Sequence, residues 1–200
     1  MLPLRHFIIK ANLMQFKKLF ILSLLSFSVL HANSIVGINI NDTDLELQGS
    51  SQINSLSDYS SGTTYIVDAN YINSNGADMG ILAFSGQNRL QGVEGLTVAF
   101  GLKAIFASEY LSFPLMAKLS YLLPLPVNFP RTNIIGNFAF APSVLTFRDG
   151  ENYSEIKIEA DIEIISNVYI FAGYRKIDTD YQNFIVNYND SFFAGLKLSF

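Results

Sequence analysis

Acidic residues at every second position form the part of this sequence best suited to chemistry. Glu155, Glu159, Asp161 and Glu163 have this spacing, and Lys157 lies among them. Residues two apart in a strand lie about 6.6 to 7 Å apart on one face, which is a distance that two cooperating carboxylates can span. The same row of charges is expected wherever a strand lines a wet interior. We therefore favour a structural or electrostatic role for this row over catalysis.

Histidine and cysteine are too scarce for most enzyme mechanisms. The two histidines, His6 and His31, both precede a predicted export cleavage site, and the chain has no cysteine. A serine or cysteine nucleophile paired with histidine needs that base, and zinc or iron sites with histidine ligands need the imidazole. The sequence therefore predicts no enzyme of these classes, no catalytic residue, no metal site and no cofactor.

The element that must position the charged row is a long strand over residues 153–165. Its even positions are apolar, and the period of two holds for ten residues. Soluble strands average about five or six residues, whereas a tilted membrane strand needs about 9 to 11. The pattern favours a membrane strand with its apolar side toward lipid and its charges toward a lumen. The apolar side consists of Ile156, Ile158, Ala160, Ile162 and Ile164.

Similar but weaker alternation predicts an all-β fold, a transmembrane antiparallel up-and-down β-barrel. Eight strands are predicted, at 63–72, 77–86, 96–107, 113–123, 132–147, 153–165, 168–177 and 191–200. Near the N-terminus, Val36, Ile38 and Ile40 suggest another strand, and the apolar phase shifts to Leu45 and Leu47 after a polar stretch. A tight turn there gives ten strands, which we prefer because these barrels have even strand numbers. Eight strands is the alternative, with residues 33–60 outside the wall or inside the lumen.

The N-terminus has the features of a secretory signal peptide. Lys17 and Lys18 precede an apolar run over 19–30, which is too short for a spanning helix and is followed by Ala32 at the predicted cleavage site. We interpret 14–32 as the signal peptide and 33–200 as the barrel. Residues 1–13 are interpreted as an upstream extension from a misassigned start, and a genuine extension is the alternative.

Cleavage would make the mature chain strongly acidic. The removed part holds four basic residues and no acid, which leaves nine basic and 17 acidic residues, a formal charge of −8. Nucleic-acid binding is therefore not expected, because it needs a basic face. Acids along one wall would make any pore weakly cation-preferring.

Arg175 and Lys197 are predicted to join the charged row in a lumenal network. Arg175 falls on the side of the acids if its strand keeps phase, and an odd-length turn around 166–167 would place it opposite Glu159 or Asp161. Two roles are open: Arg175 braces the barrel, or it gates a pore. Bracing is favoured, because side chains just fill an eight-stranded interior and ten strands leave little more room. Tyrosines near strand ends are predicted to form interfacial girdles, namely Tyr71, Tyr110, Tyr153, Tyr169 and Tyr174.

The last strand resembles the closing strand of bacterial outer-membrane barrels. Its apolar side ends on a terminal phenylalanine and comprises Phe192, Ala194, Leu196, Leu198 and Phe200. This resemblance implies an outer-membrane location, contact with outer-membrane lipid, and recognition of the tail by the barrel assembly machinery. It also implies that Phe200 ends on the periplasmic side. The 165–168 connection is then a short periplasmic turn, and 178–190 an extracellular loop.

Three further segments resemble the YfaZ-type outer-membrane proteins: Ser85–Asn88, Ala141–Phe147 and Gly173–Tyr181, together with the terminal strand. The resemblance spans most of 34–200 and implies a small outer-membrane barrel of poorly defined activity, with no catalytic residue to transfer.

These features predict a non-enzymatic outer-membrane barrel. It is either a structural or surface protein or a narrow, weakly cation-preferring pore for small solutes. The alternative is a soluble periplasmic lipid-binding barrel, in which the same alternation would turn the isoleucines inward and the acids outward. The residues leave the solute, the oligomeric state and any surface partner open.

Overall fold

The chain folds into one closed antiparallel β-barrel with ten strands in its wall. The computed structural model describes residues 33–53, 62–181 and 184–200, with the backbone alone at 184–185. The strands are β1 (Ser34–Ile40), β2 (Asp44–Gln52), β3 (Thr64–Ser74), β4 (Ala77–Arg89), β5 (Leu96–Ala107), β6 (Tyr110–Ser112), β7 (Leu115–Leu122), β8 (Thr132–Ala141), β9 (Thr146–Arg148), β10 (Gly150–Ile165), β11 (Val168–Tyr181) and β12 (Phe184–Ser199).

Wall strands pair with their neighbours in sequence, and β1 pairs with β12 to close the ring. The short strands β6 and β9 pair with each other, and β6 also pairs with β5. Neither is one of the ten strands that form the wall. No helix in the described residues is long and apolar enough to cross a membrane. The predicted segments 1–13 and 14–32 lie outside the described residues.

The N-terminal hairpin confirms the preference for ten strands. Strands β1 and β2 pair from Ile40 opposite Leu45 to Ser34 opposite Ser51. The Asn41 side chain forms the turn between them, because its Oδ1 accepts hydrogen bonds from the backbone N–H of Thr43 at 2.9 Å and of Asp44 at 2.6 Å. Asparagine side chains favour such turns by this local bonding. The turn also explains the phase shift of the apolar residues.

The predicted strand over 132–147 was wrong in its second half. Strand β8 stops at Ala141, and a 3₁₀ turn over Ser143–Leu145 leads into the short β9. The cause is Pro142, which has no N–H to donate to a ladder hydrogen bond. Pro114 similarly separates β6 from β7, so the predicted strand 113–123 is shorter at its start.

The predicted loop over 178–190 was also wrong. Strands β11 and β12 continue as a paired hairpin, with Asp180 opposite Ile185. The polar composition of this stretch led to the loop prediction, although a strand that extends beyond an apolar belt can be polar on both sides. At the other end, Ser166 and Asn167 form the predicted short turn, and Asn167 takes a positive φ of 69° that asparagine tolerates.

On β10, apolar side chains point outward and charged side chains point into the lumen. Ile156 and Ile158 are 48% and 55% exposed, whereas Glu159 between Ile158 and Ala160 is 4% exposed. Phe192, Leu196, Leu198 and Phe200 in the terminal strand also point outward. On β10 the acids therefore face inward and the isoleucines outward, the reverse of what the soluble lipid-binding alternative requires of this strand.

A layer of apolar side chains fills part of the lumen across the barrel. We call it the apolar layer; it comprises Ile72, Met79, Ile81, Ile105, Tyr110, Met116, Tyr153 and Ile177 with several alanines. Strand β6 brings Tyr110 into this layer, where its hydroxyl donates to the Asn152 carbonyl at 2.6 Å. Tyr110 and Tyr153 are fully buried, so the prediction that they belong to an interfacial girdle was wrong.

Gly150 provides the space for the β6 insertion. A Cβ atom at this position would lie 2.6 Å from Thr146 Cγ2 and 2.6 Å from the Tyr110 ring. Both neighbours are tightly packed, so a larger residue here would push Tyr110 out of the apolar layer.

Candidate functional site

Among the described residues, two cavities in the lumen share no lining residue. The first, which we call the terminal cavity, has a volume of about 280 Å³ and continues through Asn133, Asp161 and Lys197 to a rim beside Ile35 and Ser199. The second, the distal cup, has a volume of about 610 Å³ and lies at the opposite end, lined by Tyr71, Tyr181 and other residues. Met79 of the apolar layer borders the cup, and Ile81 and Met116 border the terminal cavity. The apolar layer therefore lies between the two cavities.

Arg175 is the centre of a charged group beside the apolar layer. Its side chain is 1% exposed. Its Nη1 lies 2.6 Å from Glu46 Oε2 and its Nε donates to Asn189 Oδ1 at 2.9 Å. Asn189 in turn donates to Asp44 Oδ2 at 2.6 Å. Strand β11 supplies the arginine and β2 both acids, although β1 and β12 lie between these strands in the wall.

A second charged group lies on β10 and β12. Lys197 Nζ contacts Glu159 Oε1 and lies 3.0 Å from Asp161 Oδ2, while Lys157 Nζ lies 3.0 Å from Glu159 Oε2. Lys157 Nζ is also 3.9 Å from Glu46 Oε2, which connects this group with that of Arg175. We call the joined set the charged cluster; it comprises Asp44, Glu46, Lys157, Glu159, Asp161, Arg175 and Lys197.

A third pair joins β10 to β5. Lys103 Nζ on β5 is 2.6 Å from Glu155 Oε2, which also accepts a hydrogen bond from the Tyr153 hydroxyl at 2.8 Å. All three side chains are buried. Tyr153 belongs to the apolar layer, so this pair joins that layer to the polar lumen below it.

Two phenylalanine rings support the cations of the charged cluster. Phe193 lies opposite Gly173 and Phe171 opposite Gly195, and a Cβ on either glycine would come within 2.7 Å of the facing ring. The missing side chains let the rings lie against the wall. Lys157 Nζ is 4.9 Å from the Phe193 ring centre, and Lys197 Nζ is 4.4 Å from the Phe171 ring centre. Cation–π contact at this range stabilises a desolvated cation.

The structure brings most of the predicted network residues together. Glu155, Lys157, Glu159, Asp161, Arg175 and Lys197 are all buried in the lumen. Glu163 is different: it lies near the terminal rim, 4.0 Å from the exposed Arg131, and bonds to the backbone N–H of Asn167. It does not reach the charged cluster.

The predicted partner of Arg175 was wrong. The two-residue turn between β10 and β11 places Arg175 directly opposite Lys157, not opposite an acid. Like charges at opposed strand positions repel. Arg175 therefore extends toward β2, where Glu46 and Asp44 compensate its charge. Lys197 forms ion pairs with Glu159 and Asp161.

Sequence reasoning missed Asp44, Glu46 and Lys103 as parts of the lumenal network. A local signal existed for all three. Asp44 and Glu46 alternate with the outward-facing Leu45 and Leu47, and Lys103 lies between outward-facing Leu102 and Ala104. No local signal identified which cation each acid would meet.

Buried charges in the described lumen are nearly balanced. Five acids and four cations are buried, and all of them lie within the contacts described above. The acids are Asp44, Glu46, Glu155, Glu159 and Asp161; the cations are Lys103, Lys157, Arg175 and Lys197. Among the described residues there is no group of three histidine, cysteine or acidic side chains placed to hold a metal ion.

Comparison with known proteins carries no argument about this chain. No family model matches the chain, and no curated protein is significantly similar to it. Among solved structures, a "Bacterial polysaccharide outer membrane secretin" is 11% identical with a TM-score of 0.42, over 82% of this chain and 69% of that chain. A "KdgM porin" is 9% identical with a TM-score of 0.43, over 84% of this chain and 99% of that chain. The functional proposals therefore rest on the residues of this chain.

Proposed function

We propose that this protein is a non-enzymatic β-barrel of the bacterial outer membrane with a structural or surface role. The observation that carries the proposal is the placement of side chains: many isoleucines, leucines and phenylalanines are exposed on the outside, and the buried charges lie in pairs inside, beside the apolar layer. In water this arrangement would expose a large apolar surface. In a bilayer the apolar side chains contact lipid, and the charged side chains stay in the polar lumen.

Closure of the ring supports the same conclusion. In a bilayer every backbone N–H and C=O must be bonded within the protein, and only helices and closed barrels achieve this. Pairing of β1 with β12 continues to the last residue, where Phe200 N–H donates to the Ser34 carbonyl at 2.9 Å and Asn33 N–H to the Phe200 carbonyl at 2.9 Å. The terminal residue thus completes the ladder.

The interior favours a structural role over an open pore. The apolar layer and the Arg175 group together occupy the lumen between the terminal cavity and the distal cup. Among the described residues, paired buried charges and packed apolar side chains take up the space that an open pore would need here.

A narrow pore is the second candidate, and one observation favours it. Polar side chains run continuously along the β1, β2, β11 and β12 side, from Asp161 through Glu46 to Asn41, which donates to Asp44 Oδ2 at 2.8 Å. Movement of Arg175 would open a route on this side alone. The acidic mature chain and its one excess buried acid support a weak preference for cations.

The export and assembly features belong to the same proposal. Residues 14–32 would be removed as a signal peptide, the barrel 33–200 would contact outer-membrane lipid, and the assembly machinery would read the tail ending at Phe200. Membership of the YfaZ-type proteins stays a prediction.

Cell fractionation tests the membrane proposal directly. The full chain, expressed in a Gram-negative host, is expected in the outer-membrane fraction, resistant to carbonate and released only by detergent. Its mobility on gels should change on boiling, because a folded barrel resists denaturation by detergent. Recovery in the soluble periplasmic fraction without detergent would contradict the proposal.

Planar-bilayer recording separates the two candidate functions. If the protein is structural, the refolded wild type and Arg175→Ala both give no reproducible channels. If it is a gated pore, Arg175→Ala conducts more than the wild type. Arg131→Ala is the matched control, because Arg131 is 71% exposed at the rim and does not reach the charged cluster.

A further inference from the structure

Charged, amide and apolar side chains line the terminal cavity. It opens at the rim beside Ile35 and Ser199, and Ile81 and Met116 of the apolar layer border its other end. Such a blind cavity can hold a solute without conducting it. Its chemistry therefore indicates what it would bind.

Charges in the wall of the terminal cavity are balanced in number. Four acids and four lysines line it: Asp68, Glu155, Glu159 and Asp161, and Lys103, Lys118, Lys157 and Lys197. Three of the lysines and three of the acids pair with one another. Asp68 on β3 and Lys118 on β7 remain, half-buried and with no ion pair among the described residues.

Asp68 and Lys118 are the features that point to a ligand. Each is partly removed from water, so an opposite charge from a solute would lower its free energy. Strands β4 and β5 separate the two residues in the wall, so they present an anion and a cation to one cavity without meeting each other. A single ion would satisfy one residue and leave a net charge in a poorly solvated space.

We propose that the terminal cavity binds a small zwitterion, with its ammonium group at Asp68 and its carboxylate at Lys118. Three side-chain amides also line the cavity, those of Gln48, Asn70 and Asn137. They can donate hydrogen bonds to, or accept them from, polar groups of the solute that lie between its two charges. The volume of about 280 Å³ is near the lower limit for small-molecule pockets, which fits a solute of amino-acid size.

This inference deepens the proposed function, on which it rests, because it assigns a ligand class to the lumen of the same barrel. Asp68 and Lys118 are separate from the charged cluster that closes the lumen. Loss of ligand binding and loss of the barrel can therefore be measured independently.

Equilibrium dialysis with radiolabelled γ-aminobutyrate tests the proposal on the refolded mature protein in detergent. Saturable binding is expected for the wild type. Asp68→Asn and Lys118→Gln should each weaken it at least tenfold, because each keeps the side-chain shape and removes one charge. Lys176→Gln is the matched control and should bind like the wild type, since Lys176 does not line the terminal cavity and pairs with Asp178 at 3.3 Å.

Competition on the wild type alone provides a second measurement. Choline has only the cationic group and butyrate only the anionic group, so each should compete at least tenfold less well than unlabelled γ-aminobutyrate. The proposal is overturned if heat-modifiable wild type shows no saturable binding, if both variants bind like the wild type, or if either single ion competes equally well. Recovery of the protein in the soluble fraction would instead contradict the membrane proposal.

Discussion

The two halves of the barrier across the lumen close the barrel by different physical means. On the side of β3, β4, β5 and β6, the apolar layer fills space, with Ile72, Met79, Ile105 and Tyr110 at most 1% exposed. On the side of β1, β2, β11 and β12, Arg175 and its partners close it by paired charges. Apolar packing is non-directional and scales with buried area, whereas buried ion pairs depend on each partner being present.

The difference between apolar packing and paired charges indicates which half of the barrier can open. An apolar void stays dry, so loosening the apolar layer weakens the barrel without admitting ions. A charged void attracts water, so loosening the Arg175 group should hydrate it. The predictions that follow separate the two halves on these grounds.

The largest effect is expected for Arg175→Ala. Removing one partner of a buried ion pair costs about 3 to 5 kcal/mol, because Glu46 and Asp44 would stay buried without compensation. The temperature at which the folded band disappears in a heat-modifiability gel should fall clearly. If that temperature is unchanged and conductance rises, Arg175 gates the barrel instead of bracing it.

A second substitution checks the cause of that loss. Glu46→Gln in the Arg175→Ala background removes one of the two stranded charges and should restore part of the heat resistance. Arg131→Ala should leave the folded band unchanged, since exposed pairs contribute little. A double variant no more stable than Arg175→Ala would contradict the electrostatic explanation.

The apolar half is tested by Ile105→Ala. Ile105 lies between Ile81 on β4 and Ser112 on β6 and is fully buried. Truncation of a buried isoleucine costs about 2 to 5 kcal/mol, and we expect the lower part of this range because β6 can shift into the space. Planar-bilayer conductance should stay at the wild-type level. Conductance of Ile105→Ala above the wild-type level and at least equal to that of Arg175→Ala would remove the distinction between the halves.

Gly150→Ala tests the insertion of β6 into the apolar layer. The added methyl group would overlap Thr146 and the Tyr110 ring, and overpacking of this kind costs about 1 to 3 kcal/mol. Urea unfolding followed by tyrosine fluorescence measures the loss. Gly76→Ala is a useful comparison, because nothing lies within 4 Å of a Cβ there and only its φ of +82° opposes the change.

The smallest effect is expected for Tyr110→Phe. It removes the 2.6 Å hydrogen bond to the Asn152 carbonyl and keeps the ring, so a loss of about 1 kcal/mol follows. The same urea measurement resolves it. A loss as large as that of Gly150→Ala would mean that the hydroxyl, and not the packed ring, holds β6 in place.

Local pattern predicted the wall well. Period-two alternation identified the strands and their two faces, because neighbouring side chains must point to opposite sides wherever a strand separates two environments. The tight turn at Asn41 and the short turn at Ser166–Asn167 also followed from local residue types. The strand predictions failed at 132–147 and 178–190, where Pro142 interrupted one strand and polar residues continued another.

The interior was predicted less completely, for reasons of geometry. Arg175 and Glu46 are 129 residues apart and lie on strands that are not neighbours. Their contact depends on the stagger of all the strands between them and on a one-residue choice of register that puts Arg175 opposite Lys157. No local window contains that information.

The sequence by itself determined which side chains face outward and which inward, together with the closing strand that ends at Phe200. These properties depend on residues two apart and are fixed within each strand. Only the tertiary structure decided the ion-pair partners, the insertion of β6 beside Gly150 and the division of the lumen into two cavities. Those depend on contacts across the barrel, which exist only when the ring is closed.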